Sequence, residues 1–276
     1  MLKLMYITNN KEVAQIAEKA GVDRIFIDME YIGKANRQGG MDTVQSHHTI
    51  EDIRSIRSVL RNAQLLVRCN PMHRDCEEYA SSKDEIENII AAGADLIMLP
   101  YFKRVDEVKE FIEFVGGRTK IMLLFETPEA VSNVDEMLAI SGIDEVLIGL
   151  NDLSLGYGKK FMFELLADGT VENLCEKFSQ KGIPYGFGGI AALGKGELPA
   201  ERVIAEHYRL GSTCAILSRS FCNTNIITDL DDVRSIFDNG LKEIRAWEKK
   251  CEVGQVDFEE NKIQVQIAVD SICKNI

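Results

Sequence analysis

The sequence contains no run of basic residues, no closely spaced cysteine pair, no long apolar stretch and no leader-like opening. Each absence removes a class of function. The 44 acids outnumber the 32 lysines and arginines, for a formal net charge of -12 over 276 residues. A chain so acidic and without a basic cluster is not built to hold nucleic acid or an anionic membrane surface. A local cationic pocket is still compatible with that balance, so a small anionic substrate remains open. The seven cysteines are scattered and none is spaced Cys-x-x-Cys, so neither a zinc site nor a disulfide framework is suggested. They read as small buried residues in a reducing cytoplasm. No apolar run approaches the ~18 residues of a membrane-spanning helix. The N-terminus turns polar after its first seven residues, too early for a secretory core.

What is present is a repeat of apolar runs and amphipathic stretches. The runs "LKLMYI", "RIFIDME", "LLVRCN", "LIMLPYF", "IMLLFET", "VLIGLND", "YGFGGI" and "CAILSRS" do not alternate with polar residues. They read as eight strands buried on both faces, as in a parallel sheet. Between them, "TNNKEVAQIAEKAG" opens on Asn and closes on Gly21, and "SKDEIENIIAAG" opens on a Ser/Asp signal and closes on Gly93. "TPEAVSNVDEMLAISG" predicts one helix, with Thr127 as N-cap, Pro128 in its first turn and Gly142 as the stop. The phrase "AGVDRIFI" returns as "AGADLIML" and "SGIDEVLI": helix end, glycine, aspartate, strand. Eight such units in ~250 residues predict an α/β fold, a (β/α)8 TIM barrel. The barrel is expected over 1–254, with a C-terminal helical extension over 255–276. A doubly wound open sheet is the second choice, and it lacks a glycine fingerprint after the first strand.

In a (β/α)8 barrel the chemistry sits where strands finish. The expected strand ends are Asp28 and Glu30, Arg68, Pro100, Glu126, Asp152, Gly188 with Gly189, and Ser218 with Arg219. Glu126 and Asp152 are one unit apart, so they would end neighbouring strands ~5 Å from each other. Two carboxylates so close repel unless a cation or a proton lies between them. Oxygen donors with room for water suit Mg²⁺ or Mn²⁺, and Co²⁺ stays open. Arg68 on the same rim would pair with a substrate carboxylate. Pro100, Leu150, Asn151, Gly188 and Gly189 complete the expected substrate-facing set. Blander roles compete: helix N-terminal acids for Glu126 and Asp152, a structural ion pair for Arg68, loop amides for Asp28 and Glu30, a tight turn for "GFGGI".

"FIDME", "LVRCNP", "GADLIMLPYF" and above all "LLFETPEAVSNVDEMLAISGIDEVLIGLNDLS" resemble the HpcH/HpaI aldolase and citrate lyase β-subunit family over roughly residues 20 to 220. The resemblance implies a metal-dependent barrel acting on pyruvate-like 2-oxo acids or acyl-CoA esters. It implies Glu126 and Asp152 as metal ligands and Arg68 as a contact for the substrate's carboxylate or carbonyl oxygen. It also implies a homo-oligomer, a trimer or hexamer, which the C-terminal extension would fit. One departure matters: relatives of the HpaI type follow the second acid with a histidine that moves protons, and here Tyr31 follows Glu30. His47 or His48, beyond the loop 32–45, is the expected replacement base, with His48 acting directly or through water.

The expected chemistry is carbon–carbon cleavage or formation of a 4-hydroxy-2-oxo acid through a pyruvate enolate. No lysine ends a strand, since Lys103 and Lys195 fall in loops, so a Schiff-base aldolase is not expected. An acyl-CoA lyase would need a basic rim, for which Lys34, Arg37, Lys103 and Arg104 are the candidates. A non-catalytic 2-oxo acid binder would keep the barrel and lose the base. Loop 32–45 is the expected reader of the substrate's distal end.

Overall fold

The computed structural model describes residues 1–34, 46–77 and 79–275. Eight parallel strands close into a barrel in chain order. They are β1 (Lys3–Ile7), β2 (Arg24–Asp28), β3 (Gln64–Arg68), β4 (Leu96–Leu99), β5 (Lys120–Phe125), β6 (Glu145–Ile148), β7 (Tyr185–Ile190) and β8 (Cys214–Leu217). β8 pairs with β1 as well as with β7, so no sheet edge is left and the doubly wound alternative is excluded. Helices separate the strands and form the outer layer. The helix Leu230–Glu252 packs on Lys11–Ala20 and closes the ring.

The strand period of two decides what faces the barrel axis. Along β2 the inward series is Arg24, Phe26, Asp28; along β3 it is Gln64, Leu66, Arg68. Along β5 Met122 and Leu124 lead to Glu126. The middle layer is the apolar cluster of Met5, Phe26, Leu66, Met98, Met122 and Leu147, all at most 1% exposed. The inward series of β2 and β3 therefore start polar, cross an apolar layer and end polar at the opposite rim.

At the N-terminal rim the polar layer is a closed network. Arg24 is 0% exposed and donates to both carboxylate oxygens of Glu145 at 2.8 and 2.5 Å. Its Nε donates to Gln64 Oε1 at 2.9 Å, and Lys3 Nζ lies 3.7 Å from Glu145. β7 supplies little volume inside. A Cβ on Gly186 would lie 2.1 Å from the Cys214 carbonyl oxygen, so β7 and β8 approach there only because of the glycine.

Local signals hold at most helix starts. Asn10 accepts from Val13 N–H, Ser81 from Asp84 N–H and Thr127 from Ala130 N–H. The single helix expected after Thr127 is instead two short ones, Pro128–Ser132 and Val134–Met137. They break at Asn133, whose side-chain amide donates to the Glu129 and Lys103 carbonyls and so competes with the helical ladder. The C-terminal helix Phe258–Asn275 lies on the outer layer against Ala200–Arg209 and Glu164–Ala167. Asn261 there donates to Glu206 and to the Arg202 carbonyl. No helix among the described residues is long and apolar enough to cross a membrane. All seven cysteines are free and five are buried, in line with their reading as packing residues.

Candidate active site

The C-terminal rim gathers most of the strand-end residues singled out above. Asp28 closes β2 and is 2% exposed. The Arg68 guanidinium clamps it with two parallel bonds of 2.8 Å, from Nε to Oδ1 and from Nη2 to Oδ2. The register sets this up, since Asp28 and Arg68 are directly paired in the β2–β3 ladder. Arg68 Nη1 also lies 3.2 Å from Glu30 Oε2. The ammonium of Lys34 adds a bond of 2.6 Å to Asp28 Oδ2 and stands 3.8 Å from Glu30 Oε2. Burial alone would raise the Asp28 pKa. Arg68 and then Lys34 overcome it and hold the carboxyl far below its usual range, so Asp28 is an anion with no basicity to use.

Glu126 follows β5 and is 2% exposed. Its Oε1 accepts the Tyr101 N–H at 2.9 Å. Tyr101 has φ +48°, the one positive φ of a non-glycine residue among the described residues. The turn Pro100–Tyr101 thus bends out of its ordinary geometry to aim an amide at this carboxylate. Gly149 is equally specific, because a Cβ there would lie 2.8 Å from Glu126 Cβ and Oε2. Burial raises the Glu126 pKa well above the usual range, the charges of Glu30 and Asp152 push the same way, and Arg68 opposes them.

Asp152 corrects one expectation. It does not end β6, which stops at Ile148; it sits in the first turn of the helix Leu150–Gly156. The chain leaves the sheet at Gly149 and starts helix at once, so Asp152 reaches the rim from a helix. It still acts on Glu126 electrostatically. Leu150 is a packing residue, 1% exposed, and a Cβ on Gly188 would meet it at 2.7 Å.

The two histidines separate. His47 is exposed and stacks on Tyr31 at 5.8 Å between ring centroids. His48 is buried beside Asp28, and its Nδ1 accepts the Asp28 backbone N–H at 3.0 Å. Because Nδ1 accepts from that amide it carries no proton, and burial, against the opposing charge of Asp28, shifts the ring's pKa downward. A neutral imidazole that accepts at Nδ1 carries its proton on Nε2. His48 therefore offers a hydrogen bond rather than a lone pair, which does not suit the role of base expected for it. The Tyr31 hydroxyl donates to the His48 carbonyl, and Asn70 Oδ1 accepts the N–H groups of Tyr31 and Ile32 at 2.8 and 2.9 Å. Glu85 orients Asn70 in turn, at 3.0 Å from its amide.

A cavity of about 1110 Å³ opens at this rim, and Asp28, Lys34, His48, Arg68, Asn151, Gly189, Ser218 and Arg219 are among its lining residues. Glu30, Glu126 and Asp152, each at most 7% exposed, do not line it; their neighbours Arg68 and Asn151 do. Among the described residues no group of three or more His, Cys, Asp or Glu side chains is arranged to hold a metal ion. The donor set is a carboxylate pair, and it suits a Mg²⁺-like ion, which takes one or two protein carboxylates and completes its shell with water and substrate.

Comparison with known proteins fits this geometry. Residues 3–164 match the profile of the HpcH/HpaI aldolase/citrate lyase family. The chain belongs to that family. Its fold and membership are those of a lyase of the aldolase/citrate lyase type. The HpcH/HpaI aldolase of Desulfitobacterium hafniense is similar to it with a TM-score of 0.59 and 17% identity, over 88% of this chain and 93% of the other. A HpcH/HpaI aldolase/citrate lyase family protein of Burkholderia cenocepacia gives a TM-score of 0.61 and 14% identity, over 84% and 94%. Pyruvate kinase of Methylorubrum extorquens is 32% identical over 73 residues, which is 26% of this chain and 15% of that protein.

The basic rim that an acyl-CoA ester would need is weak within the family frame. Lys34 is buried on Asp28, Lys103 pairs with Glu129 at 3.0 Å and Arg104 with Glu107 at 3.1 Å. Arg37 and most of loop 32–45, the expected reader of the substrate's distal end, lie outside the described residues. Sequence reading named Lys34 only as a cation for an acyl-CoA rim, not as the partner of Asp28, and it passed over Asn70, Glu85 and Tyr101 as supports of the site. Lys34 lies four residues beyond Glu30, in a turn whose course no periodicity announces.

Proposed function

We propose that this chain forms or cleaves the carbon–carbon bond of a 4-hydroxy-2-oxo acid, with a divalent cation held by Glu126 and Asp152. One observation supports the reading. Glu126 and Asp152 are both buried, come from different barrel units, and the charge of Asp152 acts on Glu126, whose pKa is raised well above its usual value by burial, by Glu30 and by Asp152. When bound, Mg²⁺, Mn²⁺ or Co²⁺ supplies Lewis-acid stabilisation to the charge that an enolate develops. The rest is done by the chain. Arg68 has five N–H donors; Asp28 takes two of them in hydrogen bonds and Glu30 Oε2 stands 3.2 Å from Nη1, which leaves capacity for a substrate carboxylate or keto oxygen. Asp28 and Glu30 keep that guanidinium fixed, so little reorganisation is needed when charge develops. His48 adds a neutral donor from the cavity wall. A pyruvate-like substrate also agrees with the name of the relative similar over 73 residues.

The deciding assay is pyruvate release from a panel of 4-hydroxy-2-oxo acids, with EDTA and then with Mg²⁺, Mn²⁺ or Co²⁺ restored. Release that vanishes with EDTA and returns with metal supports the reading. A folded protein that binds Mn²⁺ and 2-oxo acid but turns over none of the panel would be a binding protein instead. Assembly as a homo-oligomer, a trimer or hexamer, is part of the proposal, and light scattering reads it directly.

The raised pKa of Glu126 gives a pH prediction with a definite sign. A cation competes with the proton at a carboxyl whose pKa is raised, so affinity for Mn²⁺ is expected to rise with pH until the carboxyl ionises unaided. Calorimetry in two buffers of different ionisation heat should show proton release on binding that fades at high pH. Affinity that is flat with pH would remove Glu126 from the ligand set.

A further inference from the structure

We propose that Lys34 gives the proton to the aldehyde oxygen when the carbon–carbon bond forms, in place of the histidine that does not follow Glu30. The inference rests on the lyase reading above and adds the proton carrier which that reading leaves open.

The described polar groups nearest Asp28 on the cavity wall narrow the choice. Asp28 is an anion whose Oδ1 accepts from Arg68 and the Glu30 N–H, and whose Oδ2 accepts from Arg68 and Lys34. A guanidinium does not release a proton in a protein. His48 is neutral, so giving up its Nε2 proton would leave an imidazolate. Tyr31 is occupied by the His48 carbonyl and by the His47 ring, and it does not line the cavity. Burial and then the charge of Asp28 push its phenol up to about 12.

Lys34 has what the others lack. Its ammonium carries three N–H groups, and one of them goes to Asp28 at 2.6 Å. Glu30 at 3.8 Å is near enough to hold the charge and too far to take a hydrogen bond. The residue is 4% exposed yet lines the cavity beside Arg68 and His48. It stands six residues beyond Asp28, in the segment that follows β2.

The step balances. The enolate's oxygen pair re-forms its carbonyl as the enolate carbon bonds to the aldehyde carbon. The aldehyde π pair moves to oxygen, and a proton passes there from Lys34 Nζ. The N–H pair stays on nitrogen as a neutral amine, which solvent reprotonates. Cleavage is the reverse, with the amine taking the hydroxyl proton.

Oxaloacetate separates this step from enolate formation. Losing CO₂ from it yields the same enolate without removing a hydroxyl proton. Lys34→Met and Lys34→Arg should be assayed for aldol cleavage, aldol addition and oxaloacetate decarboxylation with Mg²⁺ present. The expected result is a rise of ~10²-fold or more in the ratio of decarboxylation to aldol turnover for Lys34→Met. Lys34→Arg should show the same rise, because it keeps the cation that the fold needs and cannot release the proton. Aldol turnover restored by arginine would make Lys34 a charge only and overturn the proposal, as would equal losses of both reactions. A wild-type protein inactive in all three reactions with every metal overturns the lyase reading, and this inference with it. Active wild type with an unchanged ratio in both variants overturns this inference alone.

Discussion

Glu126→Gln is expected to lower metal-dependent turnover by at least ~10³-fold, more than the ~10–100-fold that follows loss of an outer-shell partner, while the barrel stays folded. Glutamine keeps an oxygen for the Tyr101 N–H. It removes the charge that a cation needs and that Glu30 and Asp152 oppose. The two effects have opposite signs for activity and stability. A carboxyl whose folded pKa lies above its unfolded value stabilises the fold fully below the unfolded value, and that contribution is lost as pH rises through the folded value. Metal-free wild type should therefore lose stability on going from acid to neutral pH, and Glu126→Gln should lose less. Thermal melts at both pH values with EDTA, alongside kcat with Mn²⁺, read both effects on one preparation. A variant with full activity would remove Glu126 from the site. A variant that is inactive and also less stable than wild type at neutral pH would make Glu126 a structural acid rather than a ligand.

The barrel was legible because apolar runs buried on both faces can hardly be anything but parallel strands when helices separate them. The ends of those runs were less reliable, and for a physical reason. "VLIGLND" stays apolar beyond Ile148 because Leu150 is packed under β7, so hydrophobicity continues after the strand has become helix. Asp152 was thus assigned to a strand end, whereas it stands in the first turn of a helix. Glu126 and Arg68 were easier, since the inward alternation of β5 and β3 runs directly into them. The two histidines were indistinguishable in sequence, and one step of extended chain turns one outward and the other inward. Which nitrogen of His48 holds the proton depends on a backbone amide twenty positions away. Lys34 was legible only as a basic residue near the rim, because its pairing with Asp28 depends on how the chain turns after Glu30.

The other large effect lies at the opposite end of the barrel. Replacing either partner of the Arg24–Glu145 pair is expected to cost about 3–5 kcal/mol, because the remaining charge is left buried. The two single variants should differ. In Arg24→Met, Lys3 at 3.7 Å, with its half-exposed side chain, can still neutralise Glu145. In Glu145→Met, Arg24 keeps only Gln64 Oε1 and a long 4.0 Å contact with Met5 sulfur, so this variant should be the less stable. The double variant, with two apolar side chains filling the bottom layer, should lie nearer wild type than either single one, since a buried pair exchanged for packed apolar groups is often neutral or better. Guanidinium denaturation midpoints rank all four proteins, and a double variant worse than both singles would show that the pair contributes more than it costs to bury. Activity per folded molecule should stay at the wild-type level throughout. Arg24 and Asp28 are four residues apart on β2, ~13 Å along the strand, with the Phe26 layer between them. The (β/α)8 barrel can therefore keep one polar cluster for stability at its base and another for chemistry at its rim, and a stability loss that left kcat untouched would demonstrate that separation.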